Sequence, residues 1–416
     1  MQALDFKNTV DQVIPKAKSN RAISHADYFS TLILMMHEGS FRLDHVAHIA
    51  NDSALCQLLE LDNIPKPSSL GGWLRRMGKT PFLSYWHQIN NPVLKAALHN
   101  RKEVTLDIDA TEIITHKTSA DVTYNGKKGF MPMVGHIAET GQIVSCDFRS
   151  GNTPPSKNNL EFIQQCEAAL PNGCKVRYLR IDAAGYQEKI IRYCDDNDIH
   201  YAIRAVKNTA IKELIEDCSP EKWEVFHDKV GKPVDNQHTF RSTQCMGHYE
   251  KPFTIVIQRT KKKSNQRTLD LGDESTSTDT LDIDGYIYRA IATNRDELSD
   301  SDIIHWYNQR GEDSENRIKE LKLDVGGDHL PCSDFNANAV YFLMAALAYN
   351  LLALMRALLP ESLSRCRAPT LRNRLYSIAG KLVKSGRRWT LKVQDMHSDL
   401  LQEVTLLLSR FQPQLI

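Results

Sequence analysis

TLDIDAT, residues 105–111, decides what kind of sheet this chain builds. Val104, Leu106 and Ile108 alternate with Thr105, Asp107 and Asp109, a period of two that predicts a strand with one apolar and one polar face. Two carboxylates on one strand face repel each other unless a cation or donors compensate, which suits a metal site. A solvated strand face with incidental acids fits the stretch equally well. The string recurs as TLDIDGY at 280–286, but there it follows DESTSTDT and precedes Gly285, a turn signal. That second copy reads as a loop without chemistry.

Working outward, the sheet continues through GFMPMVGHIAETGQIVSCDFRSGN, with Gly141 in the expected hairpin turn. A helix (NLEFIQQCEAAL) leads to the strand VRYLRID, then a helix start at AAGYQEKIIRYCDDN and the strand HYAIRAV. Strands alternating with helices predict an α/β sheet with some parallel pairing. Residues 1–100 read as helical, with a Pro-rich turn (NIPKPSSLGGWLRRMG) in which Ser68 or Ser69 caps a short helix bearing Trp73, Arg75 and Arg76. A helix-turn-helix DNA reader and an ordinary helical subdomain fit that region equally.

Residues 208–298 hold short strand candidates (TFRSTQC, FTIVIQRT, YIYRAIATN) and the polar stretch KKKSNQRTLDLGDESTSTDT, expected to be a mobile loop in a β-rich insertion. A second core segment follows at 299–360, opening with a helix around 300–323. Residues 361–416 form a basic helical end. The run Ala339–Met355 approaches membrane-span length, yet Asn350 interrupts it and the rest of the chain is polar, so we read a buried core helix.

Composition narrows the function classes. The 416 residues suffice for two or three domains, and 41% hydrophobic with 25% charged residues is ordinary for a soluble globular protein. No apolar leader opens the chain. Nine cysteines without a CxxC pair suit a reducing cytoplasm and argue against structural zinc; fifteen histidines form no HExxH. A net charge of +1 means that nucleic acid would be held by local patches.

Two further acids stand out. Asp182 ends YLRID where a helix can begin, a place where ligands gather in α/β sheets, though taken alone a plain helix cap is the commoner role there. In HWYNQRGEDSENRIKELK, Glu315, Lys319 and Lys322 share one helix face beside the apolar stripe of Ile318 and Leu321. An intrahelical Glu–Lys ladder explains that pattern as well as a site does.

Taken in order, LDIDAT, FRSGN, LRIDAAGY with YAIRA, and WYNQRGEDSENRIKELK resemble the DDE transposases of insertion sequences, nearest the IS1380-type group of the IS4-like assemblage. The resemblance covers about residues 40–400. It implies an RNase H-like catalytic core, a mixed sheet flanked by helices at 101–207 and 299–360, interrupted by the β-rich insertion. It implies that the 1–100 region binds the terminal repeats. The three acids would be Asp109 on the first strand, Asp182 after the fourth strand and Glu315 on the helix after the insertion. The family's Tyr-Arg-Glu-Lys signature falls on Tyr307, Arg310, Glu315 and Lys322. One departure stands: four residues, Gly311 to Ser314, separate Arg310 from Glu315 where three are usual. Asp107 shares Asp109's face and would replace it as ligand in a shifted register.

The implied chemistry is metal-dependent cleavage at transposon ends followed by attack of the freed 3′-hydroxyl on target DNA. Three carboxylates without Cys or His prefer Mg²⁺, with Mn²⁺ as substitute. Two such ions would be shared by Asp109, with Asp182 and Glu315 each holding one. Arg310 and Lys322 would clamp phosphates, Tyr307 would bond a terminal phosphate, and Lys319 would add charge. Trp223 and Trp306 are either base-holding aromatics or core residues.

Between 361 and 392 nine Lys/Arg face one Glu, making Arg372, Lys381, Lys384, Arg387, Arg388 and Lys392 phosphate-contact candidates. KKKSNQR (261–267) is a weaker one. The partners implied are double-stranded DNA, as terminal inverted repeats and target, and a second copy in a homodimeric synaptic complex, with no membrane. The implied location is the bacterial cytoplasm, on the nucleoid when DNA-bound. Two other readings stay open: a nuclease of the same core without strand transfer, and a DNA-binding protein derived from an inactivated transposase.

Overall fold

The computed structural model describes residues 1–411 apart from 18, 20, 21, 60, 62, 207, 263–280 and 387. The predicted mobile stretch lies almost wholly outside the described residues, as do Arg387, Thr280 and the KKKSNQR run beyond Lys262.

Alternation at 104–109 folds as expected. Strand β1 (Glu103–Ala110) pairs antiparallel with β2 (Met133–Ile137), which pairs with β3 (Ile143–Asp147) through a turn where Gly141 takes φ 76°. On its other side β1 runs parallel to β4 (Lys175–Ile181), and β4 parallel to β5 (His200–Arg204). The order β3-β2-β1-β4-β5 forms a mixed sheet flanked by helices. Asp109 lies on its first strand and Asp182 directly after its fourth.

The strands of the 208–298 region do not make a sheet of their own. After a helix at Thr209–Glu216 come β6 (Glu224–His227), β7 (Pro233–Met246), β8 (Tyr249–Lys261), β9 (Leu281–Ile283) and β10 (Tyr286–Thr293). Strand β10 bonds β5 antiparallel, so β10, β8, β7 and β6 extend the core sheet outward. The second TLDID corrects our loop reading: Leu281–Ile283 is an edge strand, and Asp284 and Gly285, at φ 48° and 78°, make its tight turn to β10.

The apolar face of β1 (Val104, Leu106, Ile108) packs against helices α4 (Asn159–Ala169) and α5 (Glu188–Asp196), through Phe162, Ile163, Cys166, Ile190, Ile191 and Cys194. Three earlier helices, α1 (His25–Glu38), α2 (Pro67–Met77) and α3 (Phe82–Leu98), pack around α7 (Phe335–Ala357) in a second core. Helix α2 starts with Pro67 in its first turn after Lys66, so Ser68 and Ser69 lie inside it rather than capping it. Trp73 is fully buried, while Arg75 and Arg76 are exposed.

Helix α7 is the apolar run that resembled a membrane span, and 89% of its most apolar window is buried in the protein. Asn350 explains the polar interruption. Its Oδ1 accepts from Ile143 N at 2.7 Å, and its Nδ2 donates to Ile143 O at 2.7 Å and Asn90 Oδ1 at 2.9 Å. A second donor, Asn90 Nδ2, reaches Ile143 O at 3.1 Å. The amide pair thus satisfies the backbone of edge strand β3 inside an apolar core, where unmet groups are costly.

The polar face of β1 is not solvated. Helix α6 (Asp300–Lys319) lies across it, and Asp107, wholly buried, meets Arg180 of β4 in two bonds of 2.7 Å. Arg180 also donates to Trp306 O of α6 at 2.7 Å.

The basic end departs from the helical expectation. Gly380–Ser385 and Arg388–Val393 form a β-hairpin, β11 and β12, followed by helix α8 (Asp395–Ser409). RWTLKV, after the turn at Gly386 (φ 59°), alternates polar and apolar residues, a strand period hidden beneath the charge, whereas GKLVKS sets Leu382 and Val383 side by side between lysines.

Two stability outcomes follow. Asn350→Leu should lower the unfolding free energy by about 2–3 kcal/mol, because Ile143 N–H loses its acceptor; denaturant unfolding measures it, and an unchanged midpoint would refute the clamp. Asp107→Ala should cost about 3–5 kcal/mol by stranding Arg180, and Asp107→Leu with Arg180→Met should recover most of the loss. A double variant no more stable than the single would contradict that account.

Candidate active site

The register of β1 on β4 builds the site. Asp107 stands opposite Arg180 and Ile108 opposite Ile181, so Asp109 and Asp182 come next, on the same face at the carboxyl ends of adjacent parallel strands. The two strand acids differ in their surroundings. Asp107 is consumed by Arg180, with His136 Nε2 at 3.7 Å, while Asp109 keeps about a quarter of its side chain exposed.

Asp182 takes the capping role and also stands near Asp109. Its Oδ1 accepts from Ala184 N at 3.0 Å and caps the short 3-10 turn Ala183–Gly185, yet it lies close enough to raise the Asp109 pKa. Gly185 is required there, since a Cβ would fall 2.2 Å from Ile181 Cγ2. Burial pushes the Asp109 carboxyl up to about 6, against the pull of Arg310.

Arg310 comes from α6 and is buried. Its Nη2 lies 3.1 Å from Asp109 Oδ1 and 3.1 Å from Ile108 O. The charges of Asp109 and Asp182 hold its pKa above the ordinary arginine value. Tyr307, one turn earlier, is half-buried near the same charges, and burial raises its phenol. Lys322 lies in a π-helical turn, Glu320–Asp324, that continues α6. It donates to Thr111 Oγ1 at 3.1 Å and Glu112 O at 2.5 Å, just past the end of β1.

Glu315 is not drawn in. It is exposed, as is Lys319, and the buried residue of that turn is Ser314, whose Oγ meets His136 Nε2 at 3.2 Å. Among the described residues no three Asp, Glu, His or Cys side chains lie close enough to hold a metal ion. Asp109 and Asp182 supply hard oxygen donors, and a guanidinium cation already rests against one of them; two of the three expected ligands therefore fit a divalent ion.

Other predicted residues are used differently. Arg372 donates to His37 O at 2.6 Å and Met36 O at 2.8 Å, closing the carboxyl end of α1, so it is a structural residue and not a free phosphate contact. Lys381, Lys384 and Lys392 are exposed on the terminal hairpin, away from Arg372's role, and Lys384 lies 5.0 Å from the Trp389 ring. Arg388 belongs to the same hairpin. Trp223 packs on Phe240 and Tyr288 with the Arg259 guanidinium 4.2 Å from its ring, and Trp306 packs on Tyr178 beneath Arg295. Both are packing residues.

Three contributors escaped the sequence reading: Arg180, His136 and Arg149. Arg149 is buried, bonds Met131 O at 3.2 Å and Lys157 O at 2.9 Å, and feels the charge of Asp182. A signal existed for Arg180, since it precedes Asp182 by two residues as Asp107 precedes Asp109.

The family described as Transposase DDE domain group 1 matches residues 1–413. No curated protein matches the chain. Among solved structures, a piggyBac transposase synaptic complex with hairpin DNA aligns over 100% of this chain and 79% of its own, at 10% identity and a TM-score of 0.44. On the match that spans nearly its whole length, the chain belongs to the DDE transposase family.

Proposed function

We propose that this DNA transposase cuts at the ends of its own element and joins the freed 3′-hydroxyl to target DNA, with Asp109 and Asp182 at the reacting phosphate. The observation that carries the reading is the pairing of these two acids at adjacent strand ends beneath Arg310. A divalent cation held by the pair, Mg²⁺ with Mn²⁺ as substitute, supplies Lewis acidity for phosphoryl transfer. The protein's own groups do the positioning. Arg310, freed from Asp109, has the planar donors to grip a phosphate, and Tyr307 offers it a hydroxyl. Lys322 fixes the end of β1 through Thr111 and Glu112, which holds Asp109 at the rim of the sheet.

Longer contacts with DNA fall to the exposed cations. Lys381, Lys384 and Lys392 on the terminal hairpin offer phosphate contacts, and Arg75 and Arg76 on α2 suit a terminal-repeat reader within residues 1–100. Joining two ends calls for two copies of the chain on DNA.

A labelled duplex bearing the element's terminal repeat tests the reading. At saturating Mg²⁺ the wild type should nick at the repeat end, and Asp109→Asn and Asp182→Asn should lose about a thousandfold or more in rate. Cleavage undiminished by either substitution would refute the assignment. The Asp109 carboxyl also predicts a pH dependence. Below about 6 its proton excludes the cation, so at sub-saturating Mg²⁺ cleavage should rise as pH passes through 6 and then level. A flat profile from pH 5 to 8 would contradict it. Triple replacement of Lys381, Lys384 and Lys392 by Gln should weaken repeat binding and flatten its salt dependence by about 2–3 units of slope; an unaltered slope would clear the hairpin of that role.

A further inference from the structure

The inference here rests on the carboxylate pair just proposed and concerns the group that should complete it. We infer that Ser314 occupies the helix position from which a third carboxylate would close the site, and that Glu315 is turned out of it.

The inner face of α6 and its continuation is marked by burial: Ile303, Arg310, Ser314, Ile318 and Leu321, at spacings of seven, four, four and three. Arg310 touches Asp109, and the next inner position, one turn on, is Ser314, about 6 Å further along the axis. Its side chain points at the sheet, as the contact with His136 of β2 shows. Glu315 is the following residue, about 100° around the helix, and it is exposed. Four residues separate it from Arg310; with three, the carboxylate would stand where Ser314 stands.

The helix does absorb an extra residue, but too late. It keeps α-helical register from Asp300 to Lys319 and widens only at the π-turn Glu320–Asp324. A π-turn accommodates one additional residue, so Lys322 beyond Glu315 still reaches Thr111. Glu315 lies before that adjustment and stays out of phase. A neutral hydroxyl thus replaces an anionic oxygen ligand, and two carboxylates hold a hard cation more weakly than three.

Mn²⁺ binding to the full-length chain, followed by electron paramagnetic resonance of the free ion, tests this without relying on cleavage. Glu315→Gln should bind as the wild type does, within about twofold, and Ser314→Glu should bind about tenfold more tightly or acquire binding that the wild type lacks. The inference is overturned if Glu315→Gln weakens binding as severely as Asp109→Asn, because the helix would then have re-registered to bring Glu315 inward. It is also overturned if Ser314→Glu folds and gains nothing. Thermal melting reports folding, and should the buried glutamate prevent it, the Glu315→Gln comparison decides alone. Failure of the underlying reading looks different: Asp109→Asn would bind Mn²⁺ as tightly as the wild type, whatever happens at 314 and 315.

Discussion

Everything at the site depends on the parallel pairing of β1 and β4. A register that sets Ile108 beside Ile181 places Asp107 beside Arg180 on one side and Asp109 beside Asp182 on the other. The first pair is opposite in charge and becomes a buried clamp. The second is like in charge, and Arg310 lies against it at the rim of the sheet. Because side chains alternate along a strand, a slip of β1 by one residue would turn Asp107 and Asp109 toward the apolar core. The electrostatics of the site are therefore fixed by packing on the opposite face, where Val104, Leu106 and Ile108 meet α4 and α5.

Helix α6 turns that strand face into an interior. It carries Arg310 to Asp109, offers the Trp306 carbonyl to Arg180, and brings Arg317 to the carbonyls of Ile137 and Ala138 at 3.0 and 2.6 Å. The layer beneath it is polar and largely bonded, although His136 Nδ1 and Arg310 Nε are buried there without a hydrogen-bond partner among the described residues. His136 sits within it near Arg180, Arg310 and Arg317; burial and these three cations hold its pKa well below the ordinary value, so it stays neutral there.

Much of this was legible in the sequence because the relevant signals are periodic. Alternation at 104–109 gave β1 its two faces, and the alternation of strands with helices gave the parallel pairing. Asp182 was legible as a strand-end acid. What the sequence withheld is what depends on which strands meet. Nothing local says that Arg180 faces Asp107 and bonds both its oxygens, or that Arg372 spans the chain to close α1. The 208–298 strands read correctly as β-structure, but their joining to β5 is a long-range pairing that no window of residues reveals. At the basic end, dense charge obscured the period of two in 388–393. The exposure of Glu315 was hidden for a subtler reason: a shared face with Lys322 places it on the helix, but phase relative to Arg310 decides whether it turns inward.

The continuity of the sheet has a mechanical meaning. Strand β10 joins β5 through only three registered pairs, Ile291 with Arg204, Ala292 with Ile203 and Thr293 with Ala202, while β8 and β10 share eight. A load applied to the outer strands meets a stiff ribbon first and a narrow seam second. That seam adjoins β5, whose other neighbour, β4, ends at Asp182. The outer strands thus meet the core sheet at a short junction beside β5, and helix α6, which packs on strands to both sides of it, ties the two parts together.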